Sequence, residues 1–156
     1  MKRCIVTALA FIVLVGACDA RGSQGTGQAV EVTDTGRACL LGHEPAGSQR
    51  TTYPENVPVE IRVAGFECLS SSCTTDEMAS CEATLTGTMV VITARASWKD
   101  TSRTSNGCTD DCSSPSATCF TPPLAAGTYT IRYGVNTTSL VVPSMPGMSP
   151  CLGDPF

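Results

Sequence analysis

Histidine is almost missing from this chain. His43 is the only one among 156 residues. Any serine or cysteine hydrolase that relies on an imidazole base would have to be built around that one position. Mixed Cys/His zinc sites meet the same shortage. Lysine is nearly as scarce, with Lys2 and Lys99 its only occurrences. Aromatic residues make up 5% of the chain, and Trp98 is the sole tryptophan. A core must therefore rest mainly on Val, Ile, Leu and Ala. No apolar run reaches the roughly 20 residues that a membrane-spanning helix needs.

Basic residues are outnumbered, 10 to 14, for a formal charge of −4. Without Lys2 and Arg3 the balance is 8 to 14, or −6. Such a chain has no electrostatic attraction to nucleic acid or to anionic lipid headgroups. Membrane attachment would need a covalent lipid.

What the chain does have is cysteine, ten in all. Cys4 and Cys18 lie in the N-terminal region. The other eight are Cys39, Cys68, Cys73, Cys81, Cys108, Cys112, Cys119 and Cys151. An even number in an exported chain reads as a disulfide framework of up to four bridges, and spacing alone leaves the pairing open. A zinc knuckle at Cys108-x3-Cys112 lacks a second closely spaced pair to complete it.

Met1-Lys2-Arg3 is a short basic region. Ile5 to Val15 is an apolar stretch of 11 residues with Thr7 its one polar member. Gly16-Ala17 are the small residues a signal peptidase needs. Leu14-Val15-Gly16-Ala17-Cys18 resembles the bacterial lipobox, in which small residues precede a cysteine. The commonest form has Leu three residues before that cysteine, where this chain has Val15. The resemblance implies diacylglyceryl transfer to the Cys18 thiol, removal of residues 1–17, and often acylation, commonly palmitate, of the new amino group. Two chains suffice for stable anchoring at about 0.8 kcal/mol per buried methylene. Asp19 resembles the inner-membrane retention signal of enterobacterial lipoproteins.

Residues 18–38 carry Gly22, Gly25, Gly27 and Gly36 among polar residues, and read as a flexible linker. Its reach is about 25 Å for roughly 18 residues. The folded domain is then expected over 39–156.

Within it, Val57, Val59, Ile61 and Val63 alternate with polar residues, as in a half-buried strand that, given Pro58, starts or borders a sheet. Thr75-Asp76-Glu77-Met78 suggests a short helical turn. Cys81-x-Ala83-x-Leu85, the turn Thr86-Gly87, and Val90-x-Ile92-x-Ala94-x-Ala96-x-Trp98 read as a β-hairpin. Lys99 to Thr118 has no strand pattern, and a loop that long is usually functional or disulfide-held. A second hairpin runs over 119–142, with Tyr129, Ile131, Tyr133, Leu140 and Val142 inward and a turn over 134–137. Its Leu124-x-x-Gly127-x-Tyr129 resembles the tyrosine corner of immunoglobulin-like domains, where the tyrosine hydroxyl bonds back to the chain upstream. The B–F cysteine spacing of antibody domains is not reproduced.

Candidate sites are few. His43-Glu44 is the one place for a histidine catalyst and reads better as a solvated loop. Asp110-Asp111 and Asp76-Glu77 do not follow calcium-loop spacing. Asn136-Thr137-Thr138 fits turn chemistry better than glycosylation. Trp98 and Tyr53 could stack on a sugar, but Trp98 has core register.

The expectation is thus an all-β, disulfide-stapled, immunoglobulin-like sandwich with long irregular loops, resembling small cysteine-rich envelope lipoproteins. No catalytic set, metal or cofactor is indicated. The functional expectation is a lipid-anchored, non-catalytic interaction or adhesion module in the periplasm or on the cell surface, with a protein or glycan partner and no nucleic acid. The alternative is a glycan- or peptide-binding accessory protein, or an inhibitor of an exported hydrolase.

Overall fold

The computed structural model describes residues 27–42, 52–103, 107–144, 147 and 149–153. In chain order the strands are β1 (Gln28–Thr33), β2 (Arg37–Leu41), β3 (Glu60–Ala64), β4 (Thr74–Thr86), β5 (Met89–Asp100), β6 (Ser116–Phe120), β7 (Gly127–Tyr133), β8 (Asn136–Val142) and β9 (Cys151–Leu152). They form two sheets, one of five strands and one of four.

β5 organises the first sheet. β4 pairs antiparallel along its whole length on one edge. The other edge is shared end to end. β1 lies antiparallel against residues 95–100, and β7 lies parallel against residues 89–92. β8 pairs antiparallel with β7. The second sheet has the order β6-β3-β2-β9 and is antiparallel throughout. The inward residues of both sheets meet in one hydrophobic cluster, so the chain is a two-layered β-sandwich. Leu40, Ile61 and Val63 come from one layer, and Ile92, Ile131 and Tyr133 from the other.

The period-2 alternation explains most of these strands. Val90, Ile92, Ala94, Ala96 and Trp98 are all buried, while alternate residues face out. Ala79, Cys81, Ala83 and Leu85 stand opposite Ala96, Ala94, Ile92 and Val90 and pack against the same core. Both hairpins close with two-residue turns, Gly87-Thr88 and Gly134-Val135. In each, glycine takes the first position with positive φ, +60° and +55°, which suits the right-handed twist of the flanking strands. Asn136 lies in β8, just past its turn, so the turn is tighter than the expected 134–137.

Four expectations need correction. The linker read over 18–38 gives way to folded chain by Gln28, because Val30 and Val32 pair opposite Trp98 and Ala96 on the inner face of β5. Cys39 therefore lies within β2 and does not open the domain. Thr75 to Met78 forms no helical turn. It is strand with a bulge, Asp76 adopts φ +55°, and the ladder on β5 resumes at Met78. The strand expected from Val57 is β3 from Glu60, and it lies inside its sheet between β2 and β6. Val57 makes only an isolated bridge to Leu124. Strand β6 also begins at Ser116, inside the segment read as loop.

Asp34 pins the chain to β5 at the point where it leaves the first sheet. Between the ends of β1 and β7, Ala94 would have unpaired backbone groups. The Asp34 N–H donates to the Ala94 carbonyl at 2.9 Å, and Asp34 Oδ1 accepts from the Ala94 N–H at 2.8 Å. Asp34 adopts φ +53°, which a short polar side chain tolerates. The chain then crosses to β2 in the other sheet. The buried Tyr133 hydroxyl donates to the Thr35 carbonyl and holds the crossing in place. Burial, with the Asp34 carboxylate nearby, pushes the Tyr133 hydroxyl up to about 12.

Candidate functional site

All eight cysteines of the folded region are bonded: Cys39–Cys151, Cys68–Cys112, Cys73–Cys108 and Cys81–Cys119. Cys39–Cys151 ties directly opposed residues of β2 and β9. Cys81–Cys119 joins edge strand β4 of one sheet to edge strand β6 of the other. The remaining two bridges join the β3–β4 connection to the β5–β6 connection, so two long loops form a single stapled end.

That end is the candidate site. Leu69 and Ser113 exchange two backbone hydrogen bonds, Leu69 N–H to the Ser113 carbonyl at 2.8 Å and Ser113 N–H to the Leu69 carbonyl at 2.9 Å. Leu69 is buried beneath them. Above them the Ser70, Ser72 and Thr109 hydroxyls cluster at 3.0–3.2 Å from one another. The Thr109 N–H donates to Ser72 Oγ at 2.9 Å. The Ser71 N–H donates to Asp111 Oδ2 at 3.1 Å, and the Thr109 hydroxyl donates to Asp111 Oδ1. The hydrogen bond from Ser71, then that from Thr109, holds the Asp111 carboxyl down at about 2. Ser70 is half-buried, and Ser71, Ser72, Thr109 and Asp111 are exposed.

Chemically, this end is a rigid, hydroxyl-rich surface carrying an ionised carboxylate. The Asp111 oxygens already accept two donors, so the carboxylate is poorly placed to act as a base. Among the described residues, no group of three or more His, Cys, Asp or Glu side chains is arranged to hold a metal.

The other sequence candidates are spread through the fold. Cys18 and the His43-Glu44 pair lie outside the described residues. Asp76 pairs with Lys99 at 2.5 Å on the outer face of the first sheet, far in sequence from Asp110-Asp111. Trp98 is buried in the core, and Tyr53 is buried with its hydroxyl on the Leu40 carbonyl at 2.9 Å. Neither offers a ring face as a sugar platform. Tyr129 donates to the Ala125 carbonyl at 3.0 Å, the upstream bond that the tyrosine-corner pattern anticipates.

An open groove of about 340 Å³ was not anticipated. Leu41, Tyr53, Pro58, Glu60 and Phe120 line it, and Phe120 is 57% exposed. The signal in the sequence was Phe120 on the outward register beside the inward Cys119.

No family model matches this chain, and no curated protein or solved structure matches it. Among the described residues, no helix is long and apolar enough to cross a membrane.

Proposed function

We propose that this chain is a lipid-anchored envelope protein whose folded part is a non-catalytic interaction module. Four disulfides fit a protein that matures in an oxidising, extracytoplasmic compartment. The basic start, the short apolar run and the small residues before Cys18 supply the export signal and the acylated residue in this reading. The Tyr129–Ala125 hydrogen bond favours an immunoglobulin-like sandwich.

The observation that carries the interaction reading is the pair of bridges Cys68–Cys112 and Cys73–Cys108. They hold two long polar loops in one shape, which lowers the ordering cost of binding a partner. The test is cross-linking in whole cells of the full chain and of a Ser70→Ala/Ser72→Ala/Thr109→Ala variant. A protein captured by the wild type and lost in the variant supports the reading. Equal capture by both places recognition elsewhere. For the anchor, Cys18→Ser should abolish lipid labelling and release the protein from membranes. A processed, membrane-bound Cys18→Ser product overturns it.

A second reading is an accessory protein that takes a small glycan or peptide. The groove beside Phe120 and Glu60 favours it. A small ligand that shifts the melting transition of the wild type, but not of Phe120→Ala, would favour this reading over the first.

A further inference from the structure

None of the four bridges joins cysteines that follow one another in the chain. Numbered in order from Cys39, the bonded pairs are first with eighth, second with sixth, third with fifth and fourth with seventh. Oxidation of neighbours as the chain emerges would instead give Cys39–Cys68, Cys73–Cys81, Cys108–Cys112 and Cys119–Cys151, with no native bridge among them. We propose that a thiol–disulfide isomerase of the export compartment is a required maturation partner of this chain. The proposal rests on the export reading above.

Loop closure favours the wrong pairs. Native bridges span 35, 38, 44 and 112 residues. Cys81 lies only eight residues beyond Cys73 (81 − 73), against the 35 that separate Cys73 from its native partner. Closure probability falls with roughly the −3/2 power of loop length, which favours the neighbour about tenfold.

The fold makes late correction difficult. In the finished sandwich Cys73 is 3% exposed and Cys119 is 8% exposed. Cys119 also sits in a strand paired with β3. An error involving either becomes inaccessible once the sheets meet, so reshuffling must precede closure. Cys68 and Cys112 are both exposed in the folded protein, and their bridge can exchange to the end.

Each correction balances. An isomerase thiolate attacks one sulfur of, for example, a Cys108–Cys112 bond. It forms a mixed disulfide and releases the other sulfur as a thiolate. A free cysteine thiolate, such as that of Cys73, then attacks the mixed disulfide at the Cys108 sulfur. The Cys73–Cys108 bond forms and the isomerase thiolate leaves, with no net oxidation. The four oxidations themselves remove eight electrons and eight protons, taken up by a disulfide oxidant of the same compartment.

The test uses the protein purified from bacterial membranes. It is reduced in denaturant, then reoxidised with glutathione disulfide, with and without a purified dithiol isomerase, and its bridges are mapped by peptide mass. The expected result is scrambled products that include Cys108–Cys112 when the isomerase is absent, and at least tenfold faster recovery of the native set when it is present. An isomerase variant lacking its resolving cysteine should be trapped on the chain as a mixed disulfide. In cells, a host without the isomerase should accumulate less of the native form. If the native set forms equally fast without isomerase, the inference is overturned and the export reading stands. If the purified protein carries reduced cysteines, both fall together.

Discussion

Cys81 and Cys119 are bonded across the open side of the sandwich, one on edge strand β4 and the other on edge strand β6. Among the described residues, no backbone ladder joins the two sheets there. The bridge therefore acts as the covalent seam between layers, and the side chains beneath it pack from both sheets.

Replacing both residues, Cys81→Ala/Cys119→Ala, releases a 38-residue loop in the unfolded chain. The chain-entropy argument sets the loss at about 4 kcal/mol. Cys39–Cys151 spans 112 residues, and its removal should cost about 1 kcal/mol more by the same logarithmic dependence. Urea unfolding of the two double variants gives both the absolute losses and their order. If the Cys81–Cys119 variant is as stable as wild type, the bridge is not holding the layers.

Gly36 and Gly87 both adopt positive φ, +80° and +60°, but in different surroundings. A Cβ at Gly36 would lie 2.5 Å from the Gly65 carbonyl oxygen and 2.7 Å from that of Ala64. Both obstacles are backbone and cannot rotate away. A Cβ at Gly87 would meet nothing within 4 Å. Gly87→Ala should therefore cost only the left-handed conformational penalty, about 1–2 kcal/mol. Gly36→Ala adds displacement of the backbone at the end of β3, at Ala64 and Gly65, and should cost at least about 3 kcal/mol. Thermal melts of the two variants compare the sites directly, and equal losses would contradict the crowding at Gly36.

The Tyr133 hydroxyl, raised to about 12, links stability to alkaline pH. Its folded-state value lies above the unfolded value near 10. Its contribution is therefore full below about pH 10 and is lost as pH rises through about 12. Tyr133→Phe removes the hydrogen bond to the Thr35 carbonyl, a net loss of about 1 kcal/mol at neutral pH. It should also remove a step near pH 12 from a spectrophotometric tyrosine titration. A titration unchanged in Tyr133→Phe would assign that step elsewhere.

How far the residues announced this fold depends on where the information sat. β5 and its hairpin with β4 were legible because Val90 to Trp98 alternates over nine positions and a glycine marks the turn. Tyr129 and the inward face of β7 and β8 were legible for the same reason. β1 was not, since Val30 and Val32 are only two apolar residues among glycines and charges. Their strand character comes from β5, half the chain away. The bulge at Asp76 was hidden because Thr-Asp-Glu-Met also suits a helix start, and pairing with β5 overrode that preference. The loops were expected to be disulfide-held, but which loop met which was not open to reading. Cysteine spacing carries no record of partners, and the hydroxyl cluster of Ser70, Ser72 and Thr109 is assembled from distant segments that two bridges and the Leu69–Ser113 backbone pair bring together.

That cluster supports a last prediction. Asp111 accepts from the Ser71 N–H and the Thr109 hydroxyl, and these donors hold its carboxyl down at about 2. A depressed carboxyl contributes order that is present above its unfolded value near 4 and is lost as pH falls through about 2. The amide signal of Ser71 should move along this acid limb, tracking the titration of the Asp111 carboxyl. Asp111→Ala removes both acceptors. It should speed hydrogen exchange at the Ser71 amide and leave the global unfolding midpoint nearly unchanged, because Cys68–Cys112 and Cys73–Cys108 still bind the loops. A large fall in that midpoint would mean that Asp111, and not the bridges, holds the two loops together.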